Sequence, residues 1–140
     1  MEFVSHSVAE TESFAKELSA KLKPGDCIAY RGGMGAGKTA FTRGLAQGLD
    51  LIGEVASPTF SIVNEYLGKV NLYHFDMYRV ESSDDLETTG FYDYLDSGRH
   101  ILAVEWSENI DDALPEDTIY ITITRVDENT RHITVTGGRF

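Results

Sequence analysis

Eight consecutive residues constrain this chain more than any other feature: Gly32-Gly33-Met34-Gly35-Ala36-Gly37-Lys38-Thr39. They read G-x-x-x-x-G-K-[ST], the pattern of a loop that cradles phosphate. Glycines let the backbone bend tightly and turn successive N–H groups toward an anion. Lys38 supplies a point charge for the terminal phosphates, and the Thr39 hydroxyl is placed to ligate Mg²⁺. A helix beginning near Lys38 aims its positive end at the same place. By chance the four specified positions match in roughly one chain of this length in two hundred, so the flanks decide. Cys27–Arg31 before the loop reads as a short buried strand. Ala40–Leu49 after it carries Phe41, Leu45 and Leu49 four apart, a helical stripe.

The remaining elements follow from local signals. Ser7–Leu22 is expected to be a helix. Ser7 is its N-cap, Glu10 completes a capping box, and Thr11, Phe14, Ala15, Leu18 and Leu22 share a face. Pro24-Gly25-Asp26 ends it. Phe60–Tyr66, entered through Pro58, and Val70–Asp76 form an expected hairpin turned at Gly68-Lys69. Ser82–Glu87 opens a short helix with hydroxyl caps, Gly90 breaks it, and Phe91–Asp96 forms another helical turn. Ile101–Val104 is an apolar run closed by Glu105, as in a buried central strand. Ile119–Thr124 and Arg131–Thr136 alternate and are joined by Asp127–Thr130 as a second hairpin. Strands and helices mixed around a phosphate loop imply one α/β domain spanning residues 1–140. Its fold is expected to be three-layered and P-loop NTPase-like, with a mixed, largely parallel sheet, the loop at the C-terminal edge of a central strand, and β-hairpins.

Composition excludes several function classes. The net charge of −11 argues against broad binding to nucleic-acid backbone, which draws on clustered Lys and Arg. No apolar run approaches the length of a membrane span, and Met1–His6 lacks the basic and apolar segments of a signal peptide. A single cysteine, Cys27, fits a reducing, cytoplasmic setting, and its strand position makes it a buried small hydrophobe.

Two acids close apolar strands, Asp76 and Glu105, and either can organise the metal opposite Thr39 or orient the attacking water. Thr59, after the loop helix, lies where a switch segment that senses the γ-phosphate would fall. Taken from spacing alone, a turn threonine is the simpler reading there. Arg79, close to Asp76, is expected in an ion pair.

Four motifs occur in order: Met34–Thr39, Ser57-Pro58-Thr59-Phe60, His74-Phe75-Asp76-Met77-Tyr78-Arg79 and Glu105-Trp106-Ser107-Glu108. Together they resemble the bacterial TsaE (YjeE) family, from about Ser7 to the C-terminus. The resemblance implies a small ATPase that works with TsaB and TsaD in threonylcarbamoyladenosine modification of tRNA, touching tRNA through the complex. It implies that Met34, Gly35, Ala36, Gly37, Lys38 and Thr39 hold the phosphates, and that Thr39 and Glu105 organise Mg²⁺. It also implies Asp76 at the terminal phosphates, Thr11 near the adenine and Arg131 reaching the nucleotide. Gly33 departs from the family, which usually has an acid there; backbone amides do the binding, so little effect is expected. His74 and Trp106 match the family and are expected in the core or behind the site.

Other functions use the same loop. A small-molecule kinase needs clustered arginines around a transferred phosphoryl group, and here the arginines are scattered. A GTPase needs an Asn-Lys-x-Asp type guanine reader, which is absent from the sequence. A nucleotide-dependent interaction module without turnover remains the contrasting class.

Overall fold

Period-two burial along β-strands sorts their side chains onto two faces. A computed structural model of the chain describes residues 1–33, 36–52 and 63–140. Its strands are β1 (Glu2–Ser5), β2 (Cys27–Arg31), β3 (Val63–Tyr66), β4 (Leu72–Asp76), β5 (Ile101–Glu105), β6 (Ile119–Arg125) and β7 (Arg131–Thr136). Its helices are α1 (Val8–Ser19), α2 (Lys38–Gly48), α3 (Ser83–Thr88) and α4 (Phe91–Ser97), followed by a 3₁₀ segment at Ser107–Ala113.

Among the described residues the strands form one sheet in the order β1-β7-β6-β2-β5-β4-β3. The central strands β4, β5, β2 and β6 run parallel, and β1, β7 and β3 add antiparallel edges. Ile101, Leu102, Ala103 and Val104 of β5 are all buried, as a strand covered on both faces requires. Ile28, Tyr30, Leu72, Ile101, Ala103, Ile119, Ile121 and Ile123 face α1 and α2. Cys27, Tyr73, Phe75, Leu102 and Val104 face α3, α4 and the 3₁₀ segment, where Leu86, Phe91 and Ile110 meet them. Each fully buried Leu, Ile or Phe in these layers is worth about 1.5–3 kcal/mol. The result is the expected three-layer α/β arrangement with a mixed, largely parallel sheet.

Most local expectations hold. Ser7 caps α1 by accepting from the Glu10 N–H at 3.1 Å, and the Glu10 carboxylate accepts from the His6 N–H. The helix proper stops at Ser19, short of Leu22. The chain then tightens into i→i+3 turns, Lys21 N–H to Leu18 carbonyl and Leu22 N–H to Ser19 carbonyl. Both hairpins form, β3 with β4 and β6 with β7, although β3 is described only from Val63. Burial pushes the Cys27 thiol up to about 12, in keeping with an inert core residue. No helix among the described residues is long and apolar enough to cross a membrane.

Two elements were not expected. β1 exists through its pairing with β7, Glu2 opposite Thr134 to Ser5 opposite Arg131. The 3₁₀ segment is acidic and has no helical stripe, with Ser107 and Ile110 its buried residues. Helices α1 and α2 pack closely because Gly44 has no side chain: a Cβ there would lie 2.3 Å from the Glu12 carbonyl oxygen. Arg43 then reaches across to Glu12 at 2.7 Å.

Candidate nucleotide site

The loop leaves β2 at the point where β5 lies on one side and β6 on the other. This is the carboxyl edge of the parallel strands, where α/β sheets bind ligands. Gly32 makes the first bend with φ +128°. A Cβ on Gly32 would sit 2.2 Å from the Ile123 carbonyl oxygen on β6. Gly32→Ala therefore has to move either the loop or β6, in a backbone region that costs about 1–3 kcal/mol for an L side chain. Thermal unfolding of Gly32→Ala is expected to show a clear loss of stability. An unchanged transition would mean that the loop leaves β2 by another path.

Helix α2 starts at Lys38 with Gly37 as an N-cap that has no side-chain partner. Glu10, Asp84 with Asp85, and Asp93 stand in the first turns of α1, α3 and α4, whereas α2 has no acid in its first turn. Its free N–H groups and dipole are left uncompensated for an external anion.

Behind this helix start lies a buried charge cluster. Lys38 Nζ is 3.8 Å from Glu105 Oε1 and donates to the Gly32 carbonyl at 3.2 Å, so the side chain folds back over its own loop. Glu105 ends β5 and is 8% exposed. Its Oε2 lies 2.8 Å from Nε2 of His74, which is fully buried on β4. The approach is close but out of line for a well-formed hydrogen bond, and neither imidazole nitrogen has such a partner among the described residues. Burial pushes the Glu105 carboxyl up, but the contact with His74 and the charge of Lys38 more than offset it, so its net position is below the ordinary value. The contribution of ionised Glu105 to stability is thus full above the ordinary carboxylate value. It is lost as pH falls through the depressed one.

The cluster is held by the turn that follows β5. Trp106 takes φ +57°, which reverses the chain sharply after Glu105. Ser107 Oγ donates to the Tyr30 carbonyl at 3.0 Å, and Asn109 Nδ2 donates to the Met77 carbonyl at 2.8 Å. These bonds tie the 3₁₀ segment to the ends of β2 and β4. Arg31 adds ion pairs to Glu108 at 3.1 Å and to Asp111. The Trp106 ring is consequently 36% exposed, against the expectation of a place in the core or behind the site, and meets Tyr78 with centroids 4.9 Å apart.

The other sequence-derived residues fall as follows. Thr39 is half-buried in the first turn of α2. Asp76 is half-buried beside Glu105 in parallel register, and its Oδ1 accepts from the Tyr78 N–H at 2.9 Å. Arg131, at the start of β7, donates from Nε to the Ala36 carbonyl at 3.0 Å and so grips the loop itself. Thr11 is buried at the junction of β1 and α1, its hydroxyl 2.7 Å from that of Ser5. Met34, Gly35 and Thr59 lie outside the described residues. Arg79 is exposed and makes no ion pair among the described residues, contrary to expectation; it shares a surface hollow with Tyr78, Glu81, Trp106 and Asn109.

No cluster of three or more His, Cys, Asp or Glu among the described residues can hold a metal by itself. That fits Mg²⁺ as nucleotide enzymes use it, bound by one or two protein oxygens together with substrate phosphates and water. Thr39 and Glu105 are oxygen donors of the right kind.

A family model described as threonylcarbamoyl adenosine biosynthesis protein TsaE matches residues 5–133. The chain belongs to the TsaE family. A relative from Bacillus subtilis strain 168, named tRNA threonylcarbamoyladenosine biosynthesis protein TsaE, is 42% identical over 134 residues, covering 94% of this chain and 83% of its own length. A Treponema pallidum relative of the same name is 35% identical over 135 residues, covering 96% and 99%. The crystal structure of Bacillus subtilis YdiB superposes with a TM-score of 0.81 at 35% identity, covering 98% of this chain and 84% of that one. The TsaE resemblance drawn from four short motifs is thereby established. Within this TsaE-family fold, sequence reasoning missed the contact of His74 with Glu105. A signal was present: His74, Asp76 and Glu105 fall on one face by period two once β4 and β5 are neighbours.

Proposed function

We propose that this TsaE-family chain binds ATP with Mg²⁺ at the Gly32–Thr39 loop, hydrolyses it slowly alone, and serves threonylcarbamoyladenosine modification of tRNA in a complex with TsaB and TsaD. The observation that carries the nucleotide reading is the buried Lys38–Glu105 pair at the foot of a helix whose first turn is free of acid. In this reading Lys38 turns from Glu105 to the terminal phosphates, and loop amides bind the remaining oxygens. Thr39 and Glu105 would hold Mg²⁺, which neutralises charge on the transferred phosphoryl group. Asp76 stands at the terminal phosphates, Thr59 answers to their presence, and Arg131 keeps the loop seated through Ala36. Thr11 lies on the adenine side.

Partner activation follows from what the chain has and lacks. It has a phosphate loop and strand-end acids. Of its arginines near the site, Arg31 is committed to Glu108 and Asp111 and Arg131 to the Ala36, Asp127 and Glu128 carbonyls, and Arg79 stands alone, with no second arginine beside it among the described residues to form a cluster. An arginine supplied by a partner is worth roughly 10³–10⁵ in rate in related phosphate-loop machines. The acidic surface, with net charge −11, suits a partner with a basic face. The test is phosphate release by the purified chain alone and after adding TsaB and TsaD from the same source. A large acceleration is expected, along with tRNA modification that depends on this chain. Equal rates at concentrations where the complex is shown to form would reject activation, and no turnover in either sample would favour an interaction module.

A further inference from the structure

We propose that His74 is the positioning residue for Glu105: its imidazole keeps that carboxylate aimed at the phosphate loop when nucleotide draws Lys38 away. This rests on the reading that Glu105 serves the metal of a bound nucleotide. The two Glu105 oxygens have different neighbours, Lys38 Nζ at 3.8 Å from Oε1 and His74 Nε2 at 2.8 Å from Oε2. If Lys38 moves to phosphate, a carboxylate only 8% exposed loses its cation. A buried, unpaired carboxylate is strongly disfavoured, so without another partner it would turn toward water. The His74 N–H is the remaining polar group of the cluster, and it is fully buried, so it cannot exchange its partner for solvent.

The surroundings fix the ring for this task. His74 pairs in register with Ala103, and that small residue on β5 leaves room for the imidazole to lie along the sheet toward Glu105. The Tyr30 ring stands edge-on to it, centroids 6.2 Å apart. Tyr30 is held in turn by Thr42, hydroxyl to hydroxyl at 2.7 Å, and Thr42 donates to the Lys38 carbonyl at 2.9 Å. The orientation of His74 is thus tied to the first turn of α2. A lone pair facing a carboxylate at this distance would repel it, so the proton belongs on Nε2.

The test measures Mn²⁺ affinity in the complex with a non-hydrolysable ATP analogue, by electron paramagnetic resonance, and analogue affinity in EDTA. The variants are His74→Leu, His74→Gln and Glu105→Gln, with the double variant of His74→Leu and Glu105→Gln. His74→Leu is expected to keep metal-free nucleotide affinity and to lose about tenfold in Mn²⁺ affinity, the range found for residues that orient metal ligands. His74→Gln, whose amide N–H reaches the same place, is expected to restore most of it. In the Glu105→Gln background His74→Leu should add nothing. Unchanged Mn²⁺ affinity in His74→Leu, equal losses in Leu and Gln, or additive losses in the double variant would overturn the proposal. If His74→Leu has no cooperative unfolding transition, His74→Asn replaces it with the same expected loss, because its amide stops short of Oε2. An effect of Glu105→Gln without one of His74→Leu counts against positioning alone. Glu105→Gln with no effect sinks the metal reading, and the proposal with it.

Discussion

Lys38→Ala is expected to lower ATP affinity or turnover at least about tenfold, equivalent to about 1.4 kcal/mol or more. Lys38 is the one side-chain cation in the Gly32–Thr39 stretch, and α2 brings no other basic group to its first turn. Its ion-pair partner in the structure is Glu105 at 3.8 Å. Removing the ammonium therefore has two consequences. The terminal phosphates lose their point charge, and Glu105 faces the incoming phosphates with only His74 beside it, so like charges meet in a poorly solvated place. The fold should survive, because His74 still supports the carboxylate and Lys38 is half-buried at the helix start. ATP titration and steady-state phosphate release check this. Unchanged affinity together with unchanged turnover would place the nucleotide elsewhere.

Glu105→Gln is expected to keep nucleotide binding and to lose turnover by roughly 10²–10³, the usual effect of removing one preorganised electrostatic group. Gln keeps the volume of a side chain that is 8% exposed, so packing at the end of β5 is preserved. The amide carries no charge for Mg²⁺, while the backbone amides of the loop still bind phosphate. Single-turnover hydrolysis beside an equilibrium binding curve separates the two effects. A normal rate in this variant would transfer the metal role to Asp76, its neighbour in register on β4.

The legible parts of the fold were those fixed by local chemistry. The Cys27–Arg31 strand, the Ser7 and Ser82 caps, the break at Gly90 and the apolar run of β5 all follow from neighbours in sequence. β1 was not legible, because Glu2–Ser5 has little pattern of its own and becomes a strand by adding to the edge at β7. The 3₁₀ segment escaped for a related reason. Its shape is imposed by Arg31, Tyr30 and Met77, which are far away in sequence. In the site, residue types at motif positions were readable, but their mutual contacts depend on strand order. Glu105 reads in sequence as an acid that closes an apolar strand and can organise the metal, but its burial beside His74 becomes visible only when β4 is placed at its side. The place of Arg131 against Ala36 likewise needs β7 to lie two strands from β2.

The most direct measurement is a crystal structure of this chain with Mg²⁺ and a non-hydrolysable ATP analogue. The expected result is terminal phosphates on the Gly32–Thr39 loop, Lys38 Nζ moved from Glu105 onto phosphate, and Glu105 still held by His74. Nucleotide bound away from the loop, or phosphates seated there while Lys38 stays on Glu105, would contradict it.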